Sequence, residues 1–197
     1  MFQPGSYTEQ LTFFQKFKSL DFWLILCVLI LGAIGTISMY SSEGGDFLYY
    51  TRSHIIRFTV FFVMMLFLSF VRIKFWHSLG YIFYLIVLLL LIYASLYGIT
   101  ASGSQRWISL YFVNLQPSEL MKIAVIVFFA KYYHRIQITE VNKFRNLLLP
   151  IVILIVPIYL VLSQPDLGTS ILIALSGLVV IWLSGVNIKY FIYFSLG

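Results

Sequence analysis

The stretch FWLILCVLILGAIGTISMY, Phe22 to Tyr40, carries no charged side chain and no proline. A hydrocarbon layer about 30 Å thick is crossed by about 20 mostly apolar helical residues, and this run supplies them. It lacks a small-residue cleavage pattern and further apolar runs follow it, so it reads as a retained span rather than a signal peptide. Working outward, comparable runs occupy 55–71, 79–97, 117–133, 147–162 and 167–184, and a seventh starts at Ile188 and reaches Gly197 too soon to cross. The expected fold is all-α: a polytopic transmembrane helix bundle with six complete spans plus the start of a seventh. Residues 1–21 read as a cytoplasmic N-terminal segment and 22–197 as the transmembrane part. A chain stopping inside an apolar run reads as a fragment of a longer protein.

Composition agrees. Of 197 residues, 61% are apolar and 10% charged, against about 45–50% and 25% in an ordinary soluble domain. The formal charge of +6 is spread over short connections between apolar runs instead of forming one basic surface, which argues against nucleic acid as a partner. The single cysteine, Cys27, lies within the first run, so neither a disulfide framework nor a cysteine metal site is available. Pro150 and Pro157 predict a kinked fifth span, tolerated where neighbouring helices satisfy the freed carbonyls.

Short loops rich in lysine and arginine stay on the cytoplasmic side. With the N-terminus inside, the inner segments hold Lys16, Lys18, Arg72, Lys74, Lys131, Arg135, Lys143, Arg145 and Lys189, and the outer loops only Arg52 and Arg106. That orientation gathers the unexpected charges at the outer face: Arg57 in the first turn of the second span, Glu119 and Lys122 at the entrance of the fourth, and Asp166 before the sixth. Ionisable groups at membrane depth are rare and mark functional sites by default.

Local explanations exist for several of them. Glu119 and Lys122, at i and i+3, share a helix face and can pair structurally. In QPSE, Pro117 suits a first helical position, and Ser118 and Glu119 suit a first turn facing the positive end of the helix dipole. In SQPDLGTS, Asp166 reads as the N-cap of the sixth span, with Gly168 leaving room beside it. The outer segment RWISLYFVNL reads as a loop lying on the membrane, with Trp107, Tyr111 and Phe112 at headgroup depth. Capping does not explain Lys122, one turn inside a span, and a merely anchored loop does not need Arg106 beside it. Guanidinium is well shaped for bidentate phosphate contact. His54, His77 and His134 show no metal-ligand spacing.

The segments GSQRWISLYFVNLQPSELMKIAV and QPDLGTSILIALSGLVVIWLSG, with LDFWLILCVLILGAIGTISMYSS near the start, resemble the SEDS family (shape, elongation, division and sporulation). Gln105 in QRW and the wording QPSELMKIAV are closer to its elongation branch, RodA, than to its division branch, FtsW. A departure is SLYFVNLQPSE, where the family more often has a glycine after the leucine.

The resemblance implies a multi-pass protein of the bacterial cytoplasmic (inner) membrane, of which this chain matches the N-terminal half. It implies a peptidoglycan glycosyltransferase that polymerises glycan strands from lipid II and releases undecaprenyl pyrophosphate, working in cell-wall elongation and shape beside a class B penicillin-binding transpeptidase. Arg106, Gln116, Ser118, Glu119, Lys122 and Asp166 fall on family motif positions lining or supporting the lipid cavity, and Arg57 is added to them by depth. A divalent cation, Mg or Mn, held with help from Asp166, is the one cofactor considered. The catalytic acid is expected beyond Gly197, so the chain alone is expected to be inactive. Competing readings are a lipid II flippase, a division-type member, and a membrane scaffold whose charges are only structural pairs.

Overall fold

The computed structural model describes residues 13–101, 104–109, 114–187 and 189–190. It packs as two compact units, one ending at Arg72 and the other beginning at Ile73, each described by itself below.

The first unit contains α1 (Phe13–Lys18), α2 (Phe22–Ser42) and α3 (Tyr49–Ser69). Asp21 starts α2 as its N-cap, its carboxylate accepting from the amides of Trp23 and Leu24 at 3.0 and 3.1 Å. α3 begins six residues before the expected Ile55. The reason is a cap borrowed from across the turn: Glu43 accepts from the amides of Tyr50 and Thr51 at 2.7 and 2.9 Å and from the Thr51 hydroxyl at 2.5 Å. These bonds satisfy N-terminal amides that would otherwise be orphaned, so the polar residues YYTRSH join the helix. The two long helices approach closely at Gly32, where a Cβ would lie 2.2 Å from the Phe58 ring.

The second unit contains α4 (Ile73–Tyr97), strands β1 (Ile99–Ala101), β2 (Ser104–Ser109) and β3 (Asn114–Leu115), α5 (Pro117–His134), a 3-10 turn at Ile138–Glu140, α6 (Phe144–Ser163) and α7 (Leu167–Leu183). α5 is central, packed on α4, α6 and α7, and its Met121, Val125 and Phe129 are fully buried with Leu91 and Ile173. Close approach recurs at Gly177 of α7, where a Cβ would lie 2.5 Å from Leu154 Cδ1 and 3.1 Å from the Phe129 ring.

The prolines of α6 are accommodated as expected, by identifiable partners. Pro157 has no amide to donate to Ile153 O, and Tyr84 of α4 donates its hydroxyl to that carbonyl at 2.8 Å. Pro150 likewise frees Asn146 O, which accepts from the Tyr132 hydroxyl of α5 at 3.3 Å. Each proline therefore creates an acceptor that a neighbouring helix fills.

Among the described residues four helices are long and apolar enough to cross a membrane: α2, α3, α4 and α6. α5 carries Glu119, Lys122 and Lys131, and α7 is a shorter apolar helix of 17 residues. The all-α expectation needs one correction. The segment after α4, expected to be a loop, contains a small antiparallel sheet, ordered β1-β2-β3. Between apolar helices its backbone amides and carbonyls need partners, and strand pairing supplies them. Tyr111 and Phe112 lie outside the described residues, as does nearly all of the run from Ile188.

Candidate functional site

Two helices of the second unit begin side by side. Gln116 is the N-cap of α5 and Asp166 that of α7, and the Gln116 amide donates to Asp166 Oδ2 at 3.3 Å. Asp166 Oδ1 accepts from Thr169 N at 3.1 Å, the expected capping bond. The positive ends of two helix dipoles thus share one corner.

Arg106 reaches the same corner from β2. Ile99 pairs with Trp107 and Thr100 with Gln105, which leaves Arg106 as the extra residue of a bulge. Such an insertion breaks the alternation of faces and re-aims the side chain. Its Nε donates to Gln164 O at 3.1 Å, one terminal nitrogen to Pro165 O at 2.8 Å, and the other lies 3.3 Å from Asp166 Oδ2. One guanidinium thereby ties the sheet to the whole α6–α7 turn. The Arg106 and Asp166 side chains are 28% and 11% exposed, so this pair is better shielded than an open surface ion pair.

Lys122 and Glu119 form the expected i, i+3 pair at 2.8 Å, on the outward part of the first turns of α5. Glu119 is the more exposed partner, at 55% against 24% for Lys122. Ser118 is buried, and its hydroxyl has no hydrogen-bond partner among the described residues. A Cβ at Gly168 would meet nothing nearer than Asp166 Oδ1 at 4.0 Å, so the start of α7 is open on that side.

Arg57 needs a correction. Because α3 starts at Tyr49, it lies in the third turn rather than the first, with Nε donating to Ser53 O at 3.1 Å. It belongs to the first unit, and the corner described above is assembled by the second. Sequence reading missed Gln164, which is buried and lends its carbonyl to Arg106. No local pattern announces a partner 58 positions away.

A divalent metal does not suit this corner. Both oxygens of Asp166 are engaged by Thr169, Gln116 and Arg106, and cationic or amide donors occupy the directions a metal would take. Among the described residues no group of three His, Cys, Asp or Glu side chains could hold one.

The family profile described as FTSW_RODA_SPOVE, cell cycle protein, matches residues 18–196. The chain belongs to this family. Among curated members of the FtsW/RodA/SpoVE family, it is 35% identical over 179 residues to a probable peptidoglycan glycosyltransferase FtsW of Buchnera aphidicola, covering 86% of this chain and 46% of that protein. It is 34% identical over 176 residues to the peptidoglycan glycosyltransferase MrdB of Escherichia coli K12, covering 89% and 46%. The chain spans about half the length of the curated relatives it matches. Near-equal identity to an FtsW and to MrdB does not separate the branches. The crystal structure of the Thermus thermophilus rod shape determining protein RodA shares the fold, with TM-score 0.76, 23% identity, and coverage of 89% of this chain and 57% of that one. A peptidoglycan synthase complex matches at TM-score 0.74 and 23% identity, over 85% and 48%.

Proposed function

We propose that this chain is the N-terminal half of a peptidoglycan glycosyltransferase of the bacterial cytoplasmic membrane, with six spans, a cytoplasmic N-terminus, and an outer-face corner that holds the phosphates of a polyprenyl-linked sugar donor. Family membership supports the reaction class, and relatives in this family are named peptidoglycan glycosyltransferases. The observation that carries the site is the convergence of two helix N-termini, Arg106, and Lys122 at one end of the second unit.

In the proposed reaction an acceptor hydroxyl attacks the anomeric carbon of lipid II as the bond to the pyrophosphate oxygen breaks. The leaving undecaprenyl pyrophosphate gains charge as it departs, and preorganised cations lower that barrier. The two cations take different parts. Among the described residues Lys122 is held only by an exposed carboxylate, so it can turn from Glu119 to a phosphate oxygen. Arg106 is committed to two carbonyls and Asp166, which suits a positioning residue that sets the mouth of the corner. The proton-accepting base is not assigned to any of these residues. We read the chain as the elongation-type member because QRW and QPSELMKIAV favour that branch, with a class B transpeptidase as the protein partner.

The test uses the full-length protein and purified lipid II. Lys122→Ala is expected to lower polymerisation rate by about a hundredfold, the scale of losing one transition-state donor, with thermal stability unchanged. Undiminished polymer from a folded Lys122→Ala protein would overturn the assigned role. Transport of lipid II across vesicles without any polymer would favour a flippase instead.

A further inference from the structure

The opposite end of the second unit holds a second cationic cluster, which the reaction above does not use. α4 begins there and α5 ends there, antiparallel to one another. His77 and His134, far apart in sequence, meet edge to face with ring centroids 5.0 Å apart. Lys131 is only 8% exposed; its ammonium lies 4.5 Å from the centre of the Tyr81 ring and donates to Ser78 O at 2.5 Å. Arg135 stands over the same ring at 5.9 Å. His77 Nε2 is buried and lacks a hydrogen-bond partner among the described residues.

The described ion pairs are Arg106–Asp166, Lys122–Glu119 and Lys143–Glu140, so none of these four cationic or basic groups has an acid partner among the described residues. Inside-positive topology does not require this arrangement. Topological charge acts from exposed loops and counts lysine and arginine, whereas here a lysine is buried and two histidines meet edge to face. The tyrosine ring fixes both cations by attraction to its face, which preorganises them at one corner. Alongside, Ile73, in the first turn of α4 and one turn before His77 on the same face, is exposed.

We propose that this corner binds the headgroup phosphate of an anionic phospholipid. His134 and Arg135, both exposed, contact the phosphate oxygens, and Lys131 raises the local potential from beneath them. Ile73, one turn before His77 on the same face of α4, supplies the apolar edge against which the glycerol and first acyl carbons lie. That edge favours a lipid over a free soluble anion, which would have no use for it. Basic pockets between helices at a membrane surface are the recurrent form of such sites.

The experiment is native mass spectrometry of the full-length protein released from micelles containing equimolar phosphatidylglycerol and phosphatidylcholine. The wild type is expected to retain phosphatidylglycerol in preference, and a His134→Gln, Arg135→Gln protein to lose about five- to tenfold of that preference. Arg145→Gln, which removes a cation at the start of α6, should retain it. Absence of any preference in the wild type overturns the proposal whatever the variants do. Equal loss in Arg145→Gln overturns it in favour of diffuse surface charge. Displacement of the lipid by millimolar inorganic phosphate, at no cost to the apolar contacts, overturns it in favour of a small-anion site.

Discussion

The Tyr84 hydroxyl is a demanding test of how α6 tolerates its prolines. Tyr84→Phe removes only the oxygen that donates to Ile153 O at 2.8 Å, and leaves the ring packed on Phe128 at 5.0 Å between centroids. A net intramolecular hydrogen bond contributes about 0.5–1.5 kcal/mol, and an orphaned buried acceptor adds to the loss. Interhelical bonds in membrane proteins average about 0.6 kcal/mol with a maximum near 1.7, so the expected cost is about 1–1.5 kcal/mol. The informative comparison is the same change in a Pro157→Ala background. Alanine restores the amide, the helix satisfies Ile153 O itself, and removing the hydroxyl should then cost less than about 0.5 kcal/mol. Equilibrium unfolding in mixed SDS micelles, followed by far-ultraviolet circular dichroism, reads both numbers. The same cost in both backgrounds, or no cost beside Pro157, would refute the idea that tyrosine answers for the proline.

Two other expectations are local. Burial pushes the Glu43 carboxyl up, but the Thr51 hydroxyl and the amides of Thr51, Tyr50 and Leu48 outweigh it and hold the group below its ordinary 4.5. Because the folded value lies beneath the unfolded one, the cap is fully effective above pH 4.5 and is lost as pH falls through the folded value. Protection of the Tyr50 and Thr51 amides, taken relative to the intrinsic exchange rate at each pH, should therefore fall on acidification, and Glu43→Gln should abolish that pH dependence. At Gly177 a methyl would enter the space of Leu154 and Phe129, so Gly177→Ala should lower unfolding stability by about 1–3 kcal/mol. An unchanged midpoint would mean that α7 can shift away freely.

The apolar runs were legible because hydropathy and helix length are properties of contiguous residues. Their boundaries were less so: α4 extends back to Ile73 through KFWHS, and α3 to Tyr49, where polar residues are held helical by contacts that hydropathy does not register. The Asp166 cap, the Glu119–Lys122 pair and the Pro117 start could all be read, since each partner lies within one helical turn. The strands after α4 were not read from the sequence, because they are two to six residues long and their pairing depends on each other.

Sequence alone determined that the chain forms apolar helices, where several begin, and which residue types stand at their ends, because those are governed by neighbours along the chain. Tertiary structure decided which ends meet. A bulge turned Arg106 onto a turn 58 residues away, tyrosines from two helices found the carbonyls that prolines left open, and His77 came to rest against His134. Each of those outcomes rests on how helices pack, and packing is set by the summed fit of whole surfaces, with close approaches such as Gly177 on Leu154 fixing which groups come within bonding distance.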